Sequence, residues 1–166
     1  MKPNAIVYTS NTGHTETYAR LLGMKIGLPV YSLDLAKKQL AKGTPIIYLG
    51  WIFASHVKGY KKAATRFNVK ALCAVGLCET GTYISEIRKA ERLPQALPLY
   101  TVQGGIDKQN LKGVNKMIIN MLTKSLASSK SRTESDERML ILLKNGGSYV
   151  SENNLFELIA WYDQCK

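Results

Sequence analysis

"IVYTSNTGHTETYARLLG", residues Ile6–Gly23, opens as a β-strand and continues as a helix. The turn between them is built from Thr9, Ser10, Thr12 and Thr15, with Gly13 as its one glycine and no lysine. A strand-to-helix turn leaves the first backbone N–H groups of the helix unpaired, and the helix dipole adds partial positive charge there. Such a turn suits a phosphate. A triphosphate loop adds a Lys for the β/γ-phosphates and a Ser or Thr for Mg²⁺. Here His14-Thr15 stands where that pair would be sought. A dinucleotide loop carries further glycines, which are absent. What remains is a loop whose hydroxyls and amides can wrap one terminal phosphate monoester without a metal. The competing reading is an ordinary helix start, with Thr12 or Ser10 as its N-cap.

Outward from this stretch, strands and helices alternate. Strands are expected at Ala5–Tyr8, Leu28–Leu33, Pro45–Leu49, Ala71–Val75 and Leu97–Val102. Helices are expected at Thr15–Leu22, Lys58–Phe67 and Ile84–Leu93, then at Leu111–Leu126, Glu134–Lys144 and Asn154–Tyr162. Alternation of this kind argues a parallel sheet covered on both faces. The Ser-, Lys- and Arg-rich patch Ser125–Ser135 reads as a loop.

The chain has 166 residues, for which one domain is the expectation. No apolar run is long enough to span a bilayer. Met1-Lys2-Pro3-Asn4 leads straight into a strand with no signal-peptide pattern, which points to a cytoplasmic protein. Cys73, Cys78 and Cys165 lack zinc-like spacing and read as reduced thiols. The formal net charge of +11 predicts attraction to anionic surfaces. The basic residues are scattered and form no nucleic-acid motif, so no nucleic-acid partner is expected.

Ligands of such sheets bind beyond the carboxyl ends of the strands. Three strand ends carry unusual sequence: the hydroxyl turn, Gly50-Trp51-Ile52-Phe53-Ala54-Ser55-His56, and Gly76-Leu77-Cys78-Glu79-Thr80-Gly81. Trp51 and Phe53 could flank a flat aromatic ligand, or pack in the core under a helix. His56 reads as a surface or capping residue, and Cys78 as a ligand neighbour or a spectator thiol.

Ser10-Asn11-Thr12-Gly13-His14-Thr15 resembles the S-x-T-G-x-T phosphate loop of flavodoxins. Ile6-Val7-Tyr8 before it, and Ala19 and Leu22 after it, fit the same family pattern. The resemblance runs through the fifth strand. It implies a three-layer α/β sandwich with a five-stranded parallel sheet of order 2-1-3-4-5 and FMN at the first and third strands. It further implies that the hydroxyls of Ser10, Thr12 and Thr15, with the backbone amides of Asn11, Thr12, Gly13, His14 and Thr15, hold the FMN phosphate. Trp51, Ile52, Phe53, Ala54 and Ser55, and Leu77, Cys78, Glu79 and Thr80, would contact the flavin ring. After Gly104-Gly105 the chain is similar to the flavodoxin-like protoporphyrinogen oxidases that deliver electrons to menaquinone. They too carry a basic, Met- and Ile-rich insert, expected here at about residues 107–135. The aromatics of their insert are missing.

The resemblance implies a carrier exchanging electrons with a redox partner protein, or an oxidoreductase delivering them to a quinone. A scaffold that has lost FMN is a third reading, against which the intact loop argues. On a helix, Leu111, Val114, Ile118, Met121, Leu122 and Leu126 share one face, with Lys112, Lys116, Lys124 and Lys130 around or just beyond it. Such a stripe suits a peripheral contact with an anionic membrane, or an acidic partner; alternatively it packs on the sheet. Two features bear on reduction. The excess of 23 Lys and Arg over 12 Asp and Glu implies an easier second reduction than in acidic flavodoxins. Family members often flip a peptide in the third-strand loop. Residues 51–58 hold no glycine, so moving one of them into positive φ should cost about 1 kcal/mol.

Overall fold

Ala5, Ile6, Val7 and Tyr8 are all buried, as a strand covered on both faces requires. A computed structural model describes residues 2–109, 111 and 113–165, with backbone alone at 114 and 115. The first half runs β1 (Ala5–Thr9), α1 (His14–Ile26), β2 (Val30–Ser32), α2 (Leu33–Gln39), β3 (Pro45–Phe53), β4 (His56–Val57) and α3 (Tyr60–Arg66). It continues with β5 (Asn68–Gly76), α4 (Ile84–Glu91) and β6 (Leu99–Gln103). The remainder is β7 (Gly105–Ile106), α5 (Gly113–Ser128), α6 (Glu134–Asn145), β8 (Gly147–Ser148), a short 3₁₀ turn (Glu152–Leu155) and α7 (Phe156–Gln164).

The five long-range strands pair in parallel in the order β2-β1-β3-β5-β6, the expected 2-1-3-4-5 arrangement once the small β4 is set aside. β1 and β3 are in register through Ile6 and Ile47, which places Thr9 beside Gly50 at the carboxyl edge. One face is covered by α1, the 3₁₀ turn and α7, through Tyr18, Leu22, Leu155 and Leu158. The other is covered by α2, α3 and α4, through Ala36, Ala63 and Ile87. Each fully buried Leu or Ile contributes about 1.5–3 kcal/mol by leaving water, so these two layers account for most of the fold's stability. Tyr18 joins them to the carboxyl edge. Its hydroxyl donates to the Gln103 carbonyl at 2.5 Å and accepts from Asn154 Nδ2 at 2.6 Å.

The structure adds elements the sequence pattern concealed. α2 begins where strand two was expected to end, because the Ser32 hydroxyl accepts from the Leu35 amide and starts a helix. β3 does not stop at Leu49; it runs through Trp51 to Phe53 and turns back as β4, pairing Ile52 with Val57 and Phe53 with His56. The patch at 125–135 is only partly a loop. Ser125 to Ser128 finish α5, and Thr133 starts α6 through a capping box with Asp136. The expected insert at 107–135 is longer than that range. It leaves the sheet at β7, includes α6, and returns at β8, which pairs antiparallel with β7. α6 is drawn in because Leu142 and Leu143 bury against Ile106, with Leu126 of α5 packed beside them. All three cysteines are unpaired.

Candidate functional site

The turn after β1 is shaped by its own side chains. Ser10 Oγ accepts from the Gly13 amide at 3.1 Å, and Thr12 Oγ1 lies 3.2 Å from His14 Nδ1. Neither Ser10 nor Thr12 is the N-cap. The N-cap is Gly13, at φ 96°, with no side-chain bond to the first helical turn. Such a φ strains any residue with a Cβ. Among the described residues, no side-chain cap is bonded to the first turn of α1, which lies at the positive end of its dipole. Thr9 is tied to β3. Its Oγ1 lies 2.7 Å from the Tyr48 hydroxyl, which also donates to the Lys58 carbonyl at 2.8 Å.

A mostly apolar cavity of about 380 Å³ starts at this turn, at Asn11, Thr12, His14 and Thr15. It ends between Trp51, Ile52, Phe53, Ala54 and Leu77. Its volume falls in the about 300–1,000 Å³ range of small-molecule sites. Trp51 and Phe53 are half-buried, with ring centroids 6.1 Å apart and planes at 59°. The Lys58 ammonium sits 4.8 Å from the Phe53 ring and 5.6 Å from the Trp51 ring, close enough for cation–π attraction. The two aromatics thus form a wall at the carboxyl edge, outside the core clusters. The hairpin that presents them already contains two residues at positive φ, Ala54 at 48° and Ser55 at 62°. The expectation that positive φ would be newly entered here is corrected: a two-residue hairpin between twisted strands demands it.

The loop after β5 behaves differently from its expected role. Thr80 is turned away from the cavity, its hydroxyl accepting from the Gln103 amide at 3.0 Å. Glu79 accepts from Arg138 of α6, at 3.0 and 2.6 Å, so the acid of this loop is paired. Cys78, Glu79 and Ser55 line a neighbouring concavity shared with α6, and burial raises the Cys78 thiol above its ordinary value. Ser10 opens onto a different concavity, and Gly13 onto a groove beside Asp107. Of the residues singled out in the sequence, Asn11, Thr12, His14, Thr15, Trp51, Ile52, Phe53, Ala54 and Leu77 share the cavity. Ser10, Gly13, Ser55, Cys78, Glu79 and Thr80 lie around it.

Sequence reasoning missed what closes the cavity. Leu111, Ile118, Ile119, Met121 and Leu122, before and along α5, line it opposite the strand ends. The stripe of alternating apolar residues was visible, but not that it faces a ligand-sized space instead of the sheet or solvent. Lys112 and the side chain of Val114 lie outside the described residues. Met117, 66% exposed, points away from this wall. Gly105 fixes the approach: a Cβ there would fall on the Gly147 carbonyl oxygen and within 2.8 Å of His14 Nε2. Burial lowers the affinity of His14 for a proton, with Asp107 opposing.

Among the described residues, no group of three or more His, Cys, Asp and Glu could hold a metal ion, and no helix is long and apolar enough to cross a membrane. The chain matches no family model, no curated protein and no solved structure.

Proposed function

We propose that this chain is an FMN-binding redox protein. The observation that carries the reading is continuity: one cavity joins the uncapped start of α1 to the Trp51–Phe53 wall. A flavin mononucleotide has the same two ends, a terminal phosphate and a flat aromatic ring system. The residues present fit that group. Hydroxyls of Thr12 and Thr15 and the first amides of α1 would hold the phosphate, while Trp51, Phe53 and Leu77 would flank the ring. When bound, FMN supplies one- or two-electron transfer; the chain binds it, orients it and excludes water.

α5 favours the second reading, an FMN-dependent oxidoreductase of the protoporphyrinogen oxidase type delivering electrons to a quinone. A plain carrier needs no apolar lid over its ring site, whereas an enzyme handling an apolar substrate does. The partner is then a quinone, or a redox protein with an acidic face. A peripheral contact with an anionic bilayer would use the exposed Met117 and the neighbouring lysines of α5.

The test is titration of the apoprotein with FMN, FAD and riboflavin, together with extraction of any flavin from freshly purified protein. FMN should bind most tightly. Equal affinity for riboflavin and FMN would remove the phosphate role of the turn.

A further inference from the structure

Trp51 is shared between the cavity described above and a second, more polar one of about 960 Å³. The second cavity lies at the ends of β1 and β2 and beside β4, with Lys58, Lys61 and Lys62 on one side. Its acids are mostly spoken for. Glu16 pairs with Arg20 at 2.6 Å, and Asp34 with Lys37 at 3.4 Å. Lys58 and Lys62 form no ion pair among the described residues.

Glu91, at the end of α4, is the exception among the acids. Its side chain is only 2% exposed. Oε1 accepts from the Val57 amide at 2.7 Å and lies 3.3 Å from His56 Nδ1. Oε2 is buried and has no hydrogen-bond partner among the described residues. The nearest cation, Lys61 Nζ, is 4.0 Å away, beyond hydrogen-bond reach. A buried carboxylate oxygen without a donor is costly, and native structures rarely leave one so. Here the oxygen belongs to a residue that lines an open cavity, so the missing donor can come from a ligand. A carboxylate only accepts, so that donor is a hydroxyl or N–H. The lysines beside it call for an anion in the same molecule.

We propose that this cavity binds a phosphate ester bearing free hydroxyls, with its phosphate among Lys58, Lys61 and Lys62 and one hydroxyl donated to Glu91 Oε2. The proposal does not rest on the FMN reading, because Glu91 and these lysines lie outside the first cavity. Two sources carry this chemistry: a free sugar phosphate, and the ribose phosphate part of a nucleotide.

Calorimetric titration of the full-length protein, with and without FMN, decides it. The probes are ribose 5-phosphate, adenosine 5′-monophosphate, ribose and inorganic phosphate. Ribose 5-phosphate should bind saturably in both conditions and more tightly than ribose or phosphate. A tighter fit of adenosine 5′-monophosphate identifies the nucleotide source, and a weaker one the free sugar phosphate. Glu91→Gln should weaken ribose 5-phosphate about tenfold, the scale of one hydrogen bond to a charged group, while leaving inorganic phosphate unchanged. The Gln amide oxygen can still accept from Val57. Lys62→Ala, at an exposed residue, should weaken both phosphates and remains decisive if the Glu91 variant does not fold. Absence of binding by either ester, unchanged affinity in Lys62→Ala, equal affinity in a folded Glu91→Gln protein, or competition with FMN would each overturn the proposal.

Discussion

Ile47, in the middle of β3, is fully buried, whereas Met117 and Met121 on α5 are 66% and 63% exposed. Both regions present apolar residues to the same strand ends, but from opposite situations. β3 is held by parallel partners on both sides and by helices on both faces. Among the described residues, the contacts of the excursion from Gly105 to Ser148 include one two-residue strand pair, a small cluster around Ile106, and Arg138 on Glu79. A surface ion pair of this kind contributes at most about 1 kcal/mol. Under the proposed FMN reading, one region supplies a fixed edge for the ligand and the other a less firmly packed cover. That division suits a site that must admit and release a second molecule over an immobile first one.

The contrast is broken most directly by truncation. Ile47→Ala should cost about 2–5 kcal/mol, the range for fully buried large-to-small changes. Leu126→Ala, at a half-buried position in α5, should cost about 1 kcal/mol. Urea denaturation of both variants measures the difference. Equal losses would mean that the excursion is as much a part of the core as the sheet.

The next largest effect is at the turn. Thr12→Ala should weaken FMN by about 1–2 kcal/mol, the scale of a hydrogen bond to a charged group, with little change in global stability. The readout is the dissociation constant by flavin fluorescence. An unchanged constant would leave the phosphate to the α1 amides alone, and a large loss of stability would reassign Thr12 to structure.

The sheet was legible because each parallel strand reads as a short apolar run between turn residues. Trp51 was legible as an oddity: a large aromatic just past a strand-ending glycine. The hairpin was not, since nothing in Ala54-Ser55 advertises positive φ; the pairing of β4 with β3 imposes it. Glu91 was invisible for the same reason. Its local pattern is that of any helix end, and its burial follows only from the fold-back of Val57. The role of α5 lay between these. Its apolar stripe was plain, but what a stripe faces is decided by where its helix docks.

A smaller effect tests the hairpin. Alanine at positive φ costs on the order of 1 kcal/mol that glycine avoids. Ala54→Gly should therefore stabilise the protein, by somewhat less than about 1 kcal/mol once the added freedom of the unfolded chain is counted. The thermal midpoint of the variant measures this. A clear drop would show that Ala54 is not held at the observed φ of 48°, and that the aromatic wall is looser than the edge it extends.

The smallest effect lies where the two regions meet, at His14, whose ring is packed beside Gly105. Burial moves this imidazole below its ordinary value of 6.5, and the charge of Asp107 offsets part of that. The unfolded chain therefore takes up a proton at this position before the folded chain does. The stability linked to His14 is fully present above the unfolded value and is lost as the pH falls below it, toward the lower folded value. His14→Gln removes that dependence. The unfolding free energy of the wild type minus that of the variant should decline as the pH falls from neutral, because His56 and the carboxylates are common to both and cancel. Saturating FMN should shrink the decline, since a phosphate at the turn adds negative charge beside the imidazole and raises its proton affinity. A decline that FMN leaves untouched would place the phosphate away from His14. A difference that is flat with pH would mean that the excursion does not desolvate this ring, and that its contact with the turn is only occasional.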